Sequence, residues 1–292
     1  MDYLSDGSVM ASDYILGISD DEGIRQGDVI RSLPAGNDAQ VRYGFIITAD
    51  CDIAQNKASD QFTWLTIVPA EQYLDLHWAP QQLRRITEKQ TRVACEKLNG
   101  RITRFSAGLT PLDAISLQKW LTEATPEAIV AAVESSDQEL ISLLACVKLA
   151  LGYGSSGSRL ADLRQAWSLL GRSTRAQQAA VKEAFDSERG FPDFVLVPEL
   201  PMANGYGFVI LLRSISTIHS EELFRSEIDA RIVGKPDAFH RIGRFSDGLR
   251  FLVAQKLAFL FSRIGMPTEF ELACEAATEL LVDSLKIDAG GQ

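Results

Sequence analysis

The sequence predicts an α+β protein: an antiparallel β-barrel interrupted by a helical insertion and followed by C-terminal helices. Three observations predict it. β-branched and aromatic runs bounded by Gly, Pro, Asn or Asp occur in two separated regions. Apolar residues recur at helical spacing between those regions, and helix stop and start signals punctuate the tail.

The first region holds Gly27-Asp28-Val29-Ile30, then Arg42 through Ile53, then Phe62 through Pro69, which read as three strands joined by turns. Residues 1–70 are therefore the expected first part of the barrel. From Glu71 the spacing becomes helical, with Leu83, Ile86, Val93 and Leu98 separated by charged residues. Pro111 opens a segment in which Leu112, Ile115, Leu117, Trp120 and Leu121 recur, Pro126 opens another, and Asp137 is placed to cap the run from Leu140 to Leu151. Helical patterns continue through Leu160 to Trp167 and Ala176 to Phe185, so residues 71–190 form the expected insertion. Strand signatures return as Phe194 to Pro198 and Tyr206 to Ile215, giving residues 191–235 as the second part of the barrel. The pentapeptide Tyr206 to Ile210 differs from Tyr43 to Ile47 only by Val209 for Ile46, but the flanks do not match, so the two are similar strand starts. An open sheet edge is a liability that closure removes, so the two β parts are expected to complete one barrel in preference to forming two units. In the tail, residues 236–292, an amphipathic helix from Asp247 to Ile264 is stopped by Gly265 and Pro267. Thr268 caps a second helix through Leu285, with Phe270, Leu272, Ala273, Ala276, Leu280 and Leu281 as its apolar positions.

The 292 residues are 46% hydrophobic and 23% charged, ordinary for a globular chain that buries a sizeable core. The formal net charge of -10 weighs against non-specific adhesion to nucleic acid or anionic membrane, which disfavours RNA as a partner. The opening residues lack the basic and then apolar run of a secretory signal. The runs Leu140 to Leu151 and Phe251 to Phe261 are interrupted by Lys148, Gln255 and Lys256 and fall short of a membrane span. A cytoplasmic protein is expected. The cysteines Cys51, Cys95, Cys146 and Cys274 are far apart and lack zinc-site spacing, so neither metal nor cofactor is expected. The acidic run Ser19-Asp20-Asp21-Glu22 reads as a solvated loop.

Several residues are chemical candidates. If the strand extends through Ile53, alternation points Cys51 into the core and sets Thr48, Asp50 and Asp52 on the other face. Asp50 and Asp52 could there share a proton or hold a cation, or simply form a polar strand end. A nucleophilic Cys51 would need a nearby cation, whereas its neighbours are acidic. His77, His219 and His240 are dispersed. His240, Arg241, Arg244, Arg250, Lys256 and Arg263 form the clearest basic concentration, suited to binding phosphate or an acidic partner, or to pairing with Glu269, Glu271 and Glu275. Gly152 to Gly157 fits GxGxxG, but a helical pattern precedes it where the dinucleotide fingerprint needs a strand, so it reads as a connector between helices.

The order Gly27-Asp28-Val29-Ile30, Arg42, an apolar strand ending at Thr48, and a later strand ending Val68-Pro69 resembles the PemK/MazF family over residues 26–70. The resemblance implies an SH3-like barrel and a metal-independent endoribonuclease toxin restrained by an antitoxin. It places Asp28, Arg42 and Thr48 in the groove; a barrel that brought His240 or His219 near Arg42 and Asp28 would add an acid or base. Two features depart from the family: Tyr43 stands in place of its proline, and Asp50-Cys51-Asp52 replaces an uncharged polar loop and would repel phosphate. The whole chain, with its long insert and the phrase Phe239-His240-Arg241-Ile242-Gly243-Arg244, is also similar to uncharacterised bacterial proteins of antiviral-defence gene clusters. The leading expectation is a non-catalytic binding or regulatory module of a bacterial stress or antiviral-defence system, with a protein partner. Asp50, Asp52, Arg241, Arg244 and Arg250 are its binding candidates. The alternatives are the ribonuclease toxin and a structural subunit of a larger complex.

Overall fold

Alternation along the N-terminal strands decides which way the molecule folds. Val29, Phe45, Leu65 and Ile67 fall on one face, and Ile30, Ile46 and Trp64 on the other. The computed structural model describes residues 14–33, 40–55, 57, 60–105, 110–155, 157–185, 193–235, 238–262 and 268–284. In it the chain is α+β. The strands are β1 (Ile15–Leu16), β2 (Asp28–Ser32), β3 (Tyr43–Ile46), β4 (Gln61–Pro69), β5 (Phe194–Val197), β6 (Phe208–His219), β7 (Leu223–Phe224) and β8 (Phe239–Phe245). They form an eight-stranded sheet in the order β1-β8-β2-β3-β4-β6-β5, antiparallel except that β7 pairs parallel with β8.

Strands from both ends of the sequence interleave in this sheet. β8 lies between β1 and β2, and β6 lies beside β4, so neither β part completes the sheet alone. The expected closure into a barrel needs correction: the path ends at β1 and β5, and no ladder joins them among the described residues. Two register irregularities, Val29/Ile30 against β8 and Leu65/Ile67 against β6, bend the strands, as bulges do. The bending brings the two ends close enough for side-chain contact only. The Tyr14 hydroxyl donates to Glu199 at 3.2 Å, and burial followed by the Glu199 carboxylate pushes the Tyr14 pKa up to about 12. Gly243 of β8 packs so tightly on Pro201 that a Cβ there would overlap the proline ring. On the opposite face a Cβ at Gly44 would run into the Trp64 indole, so both positions need glycine for close approach.

The helices are α1 (Asp50–Ala54), α2 (Ala70–Tyr73), α3 (Ala79–Phe105), α4 (Ala114–Glu123), α5 (Pro126–Ala132), α6 (Gln138–Ala150), α7 (Arg159–Leu169), α8 (Thr174–Ala184), α9 (Glu227–Val233), α10 (Asp247–Phe261) and α11 (Thr268–Ser284). A π-helical turn, Leu74–Trp78, joins α2 to α3 without a break. Its Asp75 caps α7, accepting from Ser158 Oγ at 2.8 Å and the Leu160 amide at 2.7 Å. Asp137 caps α6 as the sequence predicts, and Thr125 caps α5 ahead of Pro126. The insertion α3–α8 buries two apolar clusters of its own, around Leu83 and Trp167 and around Leu98 and Leu144. α10 lies on the sheet face of Val29 and Phe45, burying Val253 and Leu260 there.

Candidate functional site

The conserved geometry of a sheet puts directly paired residues on one face, which locates each predicted site residue. Asp28 pairs with Arg244 across β2 and β8. The Asp28 side chain is fully buried, with Arg244 Nε on its Oδ1 at 2.6 Å, the Arg25 amide on its Oδ2 at 2.8 Å and Arg241 Nη1 3.7 Å away. Burial pushes the Asp28 pKa upward, and the Arg244 hydrogen bond, the Arg25 amide and the Arg241 charge hold it against that push. Arg241 also donates to the carbonyls of Glu22, Gly23 and Ser19, and Arg244 pairs with the Glu22 carboxylate at 2.9 Å. The acidic run around Glu22, expected as a solvated loop, is thus fastened to β8. Arg250 centres a second group: its Nη1 meets Asp50 at 2.7 Å and its Nη2 meets Asp247 at 3.0 Å. Asp50 Oδ1 in turn accepts from the Gln26 amide at 2.8 Å.

Five predicted site residues thus fall into two groups, Asp28 with Arg241 and Arg244, and Asp50 with Arg250, and each spends its charge on another part of the chain. Arg42 and His240 stand elsewhere. The Arg42 guanidinium sits 5.0 Å from the Phe239 ring, at the Ser32 end of β2, four residues from Asp28 and hence about 13 Å along the strand. His240 pairs with Arg31, and because Arg31 is three positions from Asp28 it lies on the opposite face. His240 is buried with Nδ1 unpartnered, and its Nε2 is 3.9 Å from Glu227. Burial lowers its pKa, with Glu227 opposing and Arg31 and Arg231 reinforcing the drop. Thr48 closes the start of β4, its Oγ1 accepting from the Thr63 amide at 2.6 Å.

The stretch around Cys51 needs a second correction. β3 ends at Ile46, and Asp50 begins α1, so Cys51 is exposed on a helix instead of pointing inward from a strand. The alternation of Ile47 through Ile53 imitates a strand, but the segment is a helix whose first residue, Asp50, is held by the Gln26 amide and Arg250. Asp52 does not join Asp50 at one site: its Oδ1 sits 3.6 Å from the Cys51 sulfur. Among the described residues no three His, Cys, Asp or Glu side chains converge as a ligand set. The Gly152–Gly157 stretch connects α6 to α7, where Ser155 donates to the buried Asp162 at 2.6 Å and Arg159 bridges Asp162 to the Ala150 carbonyl. His77 stacks on Tyr73 and His219 ends β6, so the histidines stay apart. Arg263 lies outside the described residues.

A different surface carries large apolar side chains. α10 is apolar nearly all round, and a helix of that kind is normally covered on every side. Here, among the described residues, it is the side of Val253, Leu257 and Leu260 that is covered. Phe251 and Phe261 of α10 and Phe270, Leu280 and Leu281 of α11 are 50–72% exposed. Beside Phe261 a cleft of about 310 Å³ opens between α10 and the sheet, lined by Phe45, Ile47, Ala254, Leu257 and Ala258, with Gln26 and Arg250 at its polar rim. The signal was present in the sequence as apolar residues on both faces of the segment from Phe251 to Phe261, more than one buried face requires. No family model, curated protein or solved structure matches this chain. No helix among the described residues is long and apolar enough to cross a membrane.

Proposed function

We propose that the chain is a non-catalytic protein-binding module that docks its partner on the outer faces of α10 and α11. The observation that carries this reading is the exposed apolar surface of Phe251, Phe261, Phe270, Leu280 and Leu281 on two helices consecutive in the chain. Large aromatic side chains next to a preformed cleft are the usual anchors of protein interfaces. The charged candidates support it from the other side. The pairing of Asp28 with Arg244 and Arg241, and of Arg250 with Asp50, holds the fold and leaves those guanidinium groups engaged. A ribonuclease groove would need Asp28, Arg42, Thr48 and His240 together, an arrangement disfavoured by their positions on two faces of the sheet.

The same reading treats the strands as an opened SH3-like barrel, supported by the Tyr14–Glu199 and Gly243–Pro201 contacts across the gap. A bacterial stress or antiviral-defence setting rests on the resemblances of residues 26–70 and of the chain as a whole. The test is co-purification of the tagged chain from its native cells, in parallel with a Phe270→Ser/Leu281→Ser variant. The expected result is one protein at a fixed ratio with the wild type, absent with the variant, and no RNA in either eluate. Cleavage of single-stranded RNA by the purified chain, abolished by Arg42→Ala, would overturn the reading.

A further inference from the structure

Residues 268–284 carry five acidic residues and no Lys, Arg or His. On α11 the helical positions of Phe270, Ala273, Ala277, Leu280 and Leu281 fall within one stripe, and Glu275 and Glu279 sit one turn apart on the other side. All of these residues are exposed. Like charges one turn apart weaken a helix by a few tenths of a kcal/mol, and a helix of this length is marginal alone in water. The segment therefore gains from a partner that covers its stripe and supplies positive charge.

We propose that the occupant of this surface is a basic amphipathic protein segment, an apolar helix face edged with Lys or Arg. The inference rests on the binding reading above and adds the partner's chemistry. Charge complementarity selects it over a second copy. A two-fold contact would set this acidic segment against itself, in a chain whose net charge is already -10. Apolar area supplies most of the affinity, and the carboxylates steer and select.

The test uses the full-length protein and two fluorescein-labelled 18-residue synthetic helices sharing one leucine pattern, with Lys at every polar position in one and Glu in the other. Anisotropy titrations are run at low and moderate salt. The expected result is binding of the Lys peptide at least tenfold tighter than the Glu peptide, weakened by salt. Phe270→Ser/Leu281→Ser should remove at least tenfold of that affinity, and Glu275→Gln/Glu279→Gln should weaken it severalfold and flatten its salt dependence. Both variants lie on exposed positions and should melt like the wild type. Equal binding of the two peptides, or preference for the Glu peptide, would overturn the basic partner while leaving a binding module standing. Binding of neither peptide would overturn the proposal. Light scattering that shows a dimer dissolved by Phe270→Ser/Leu281→Ser would overturn it in favour of self-association.

Discussion

Replacing Asp28 with Asn tests whether the buried network holds the fold or serves chemistry. The change keeps the shape, removes one charge, and leaves Arg244 and Arg241 facing each other across the vacated anion. The Asp28 side chain is fully buried, the Arg244 side chain is 11% exposed, and the two are joined at 2.6 Å. Removing one partner of a buried, hydrogen-bonded pair costs about 3–5 kcal/mol, because the remaining charge is stranded. That is a large part of the ~5–15 kcal/mol that holds a domain together. At roughly 2–4 °C per kcal/mol for a chain of this size class, the melting temperature should fall by about 10 °C. The loss should also loosen the segment from Ser19 to Gly23, since the same arginines hold its carbonyls. Calorimetry on Asp28→Asn, Arg244→Met and the double variant closes a cycle. A pair that acts structurally gives a double variant much less destabilised than the sum of the singles, by about 1–3 kcal/mol. A carboxylate kept for catalysis is often a stability burden, so an unchanged or raised melting temperature in Asp28→Asn would refute the structural role.

Three further outcomes follow from the same geometry. Gly44→Ala should destabilise by about 1–3 kcal/mol in a urea melt, because its Cβ overlaps the Trp64 ring between paired strands. His240 is buried and its pKa is lowered, so the unfolded chain takes up its proton first as pH falls below about 6.5. Stability from this group is complete above that pH and declines as pH drops towards the folded-state value, by no more than about 1.4 kcal/mol per pH unit. His240→Gln should flatten that part of the pH profile of unfolding. Asp75→Ala removes the acceptor for both Ser158 Oγ and the Leu160 amide and should cost about 0.5–2 kcal/mol, read as an earlier loss of helical circular dichroism on heating.

Much of the fold was legible because its signals are local. Asp137, Pro126 and Thr268 mark helix starts that need no knowledge of the rest of the chain, and the β-branched runs at Val29, Phe45 and Leu65 mark strands. The sheet order was partly legible, since the open edges of the first strands called for later strands to cover them. The expected closure was wrong, because whether the outer strands β1 and β5 meet depends on how the whole sheet bends, which no residue pattern announces, and among the described residues no ladder joins them. The end of β3 was misread for a related reason: Ile47 to Ile53 alternates like a strand, and the partner that its Asp50 meets at the start of the helix is an arginine 200 residues away. The candidate site shows the same division. Asp28 and Arg244 were both singled out, but as separate groups with separate tasks, because they are 216 positions apart in the chain. The apolar positions of α11 were listed from the sequence; that Phe270, Leu272, Leu280 and Leu281 are exposed is a property of the assembled structure.

Hydrogen exchange on the complex recovered from native cells, compared with the chain alone, tests the central claim most directly. In the free chain the amides of α11 should exchange quickly, since a helix with an uncovered apolar face opens readily. In the complex, protection should rise on α10 and α11 and stay unchanged on β2 and β8. Protection that appears instead around Asp28, Arg42 and Phe239, with α11 still exchanging freely, would contradict the account and move the working surface to the sheet.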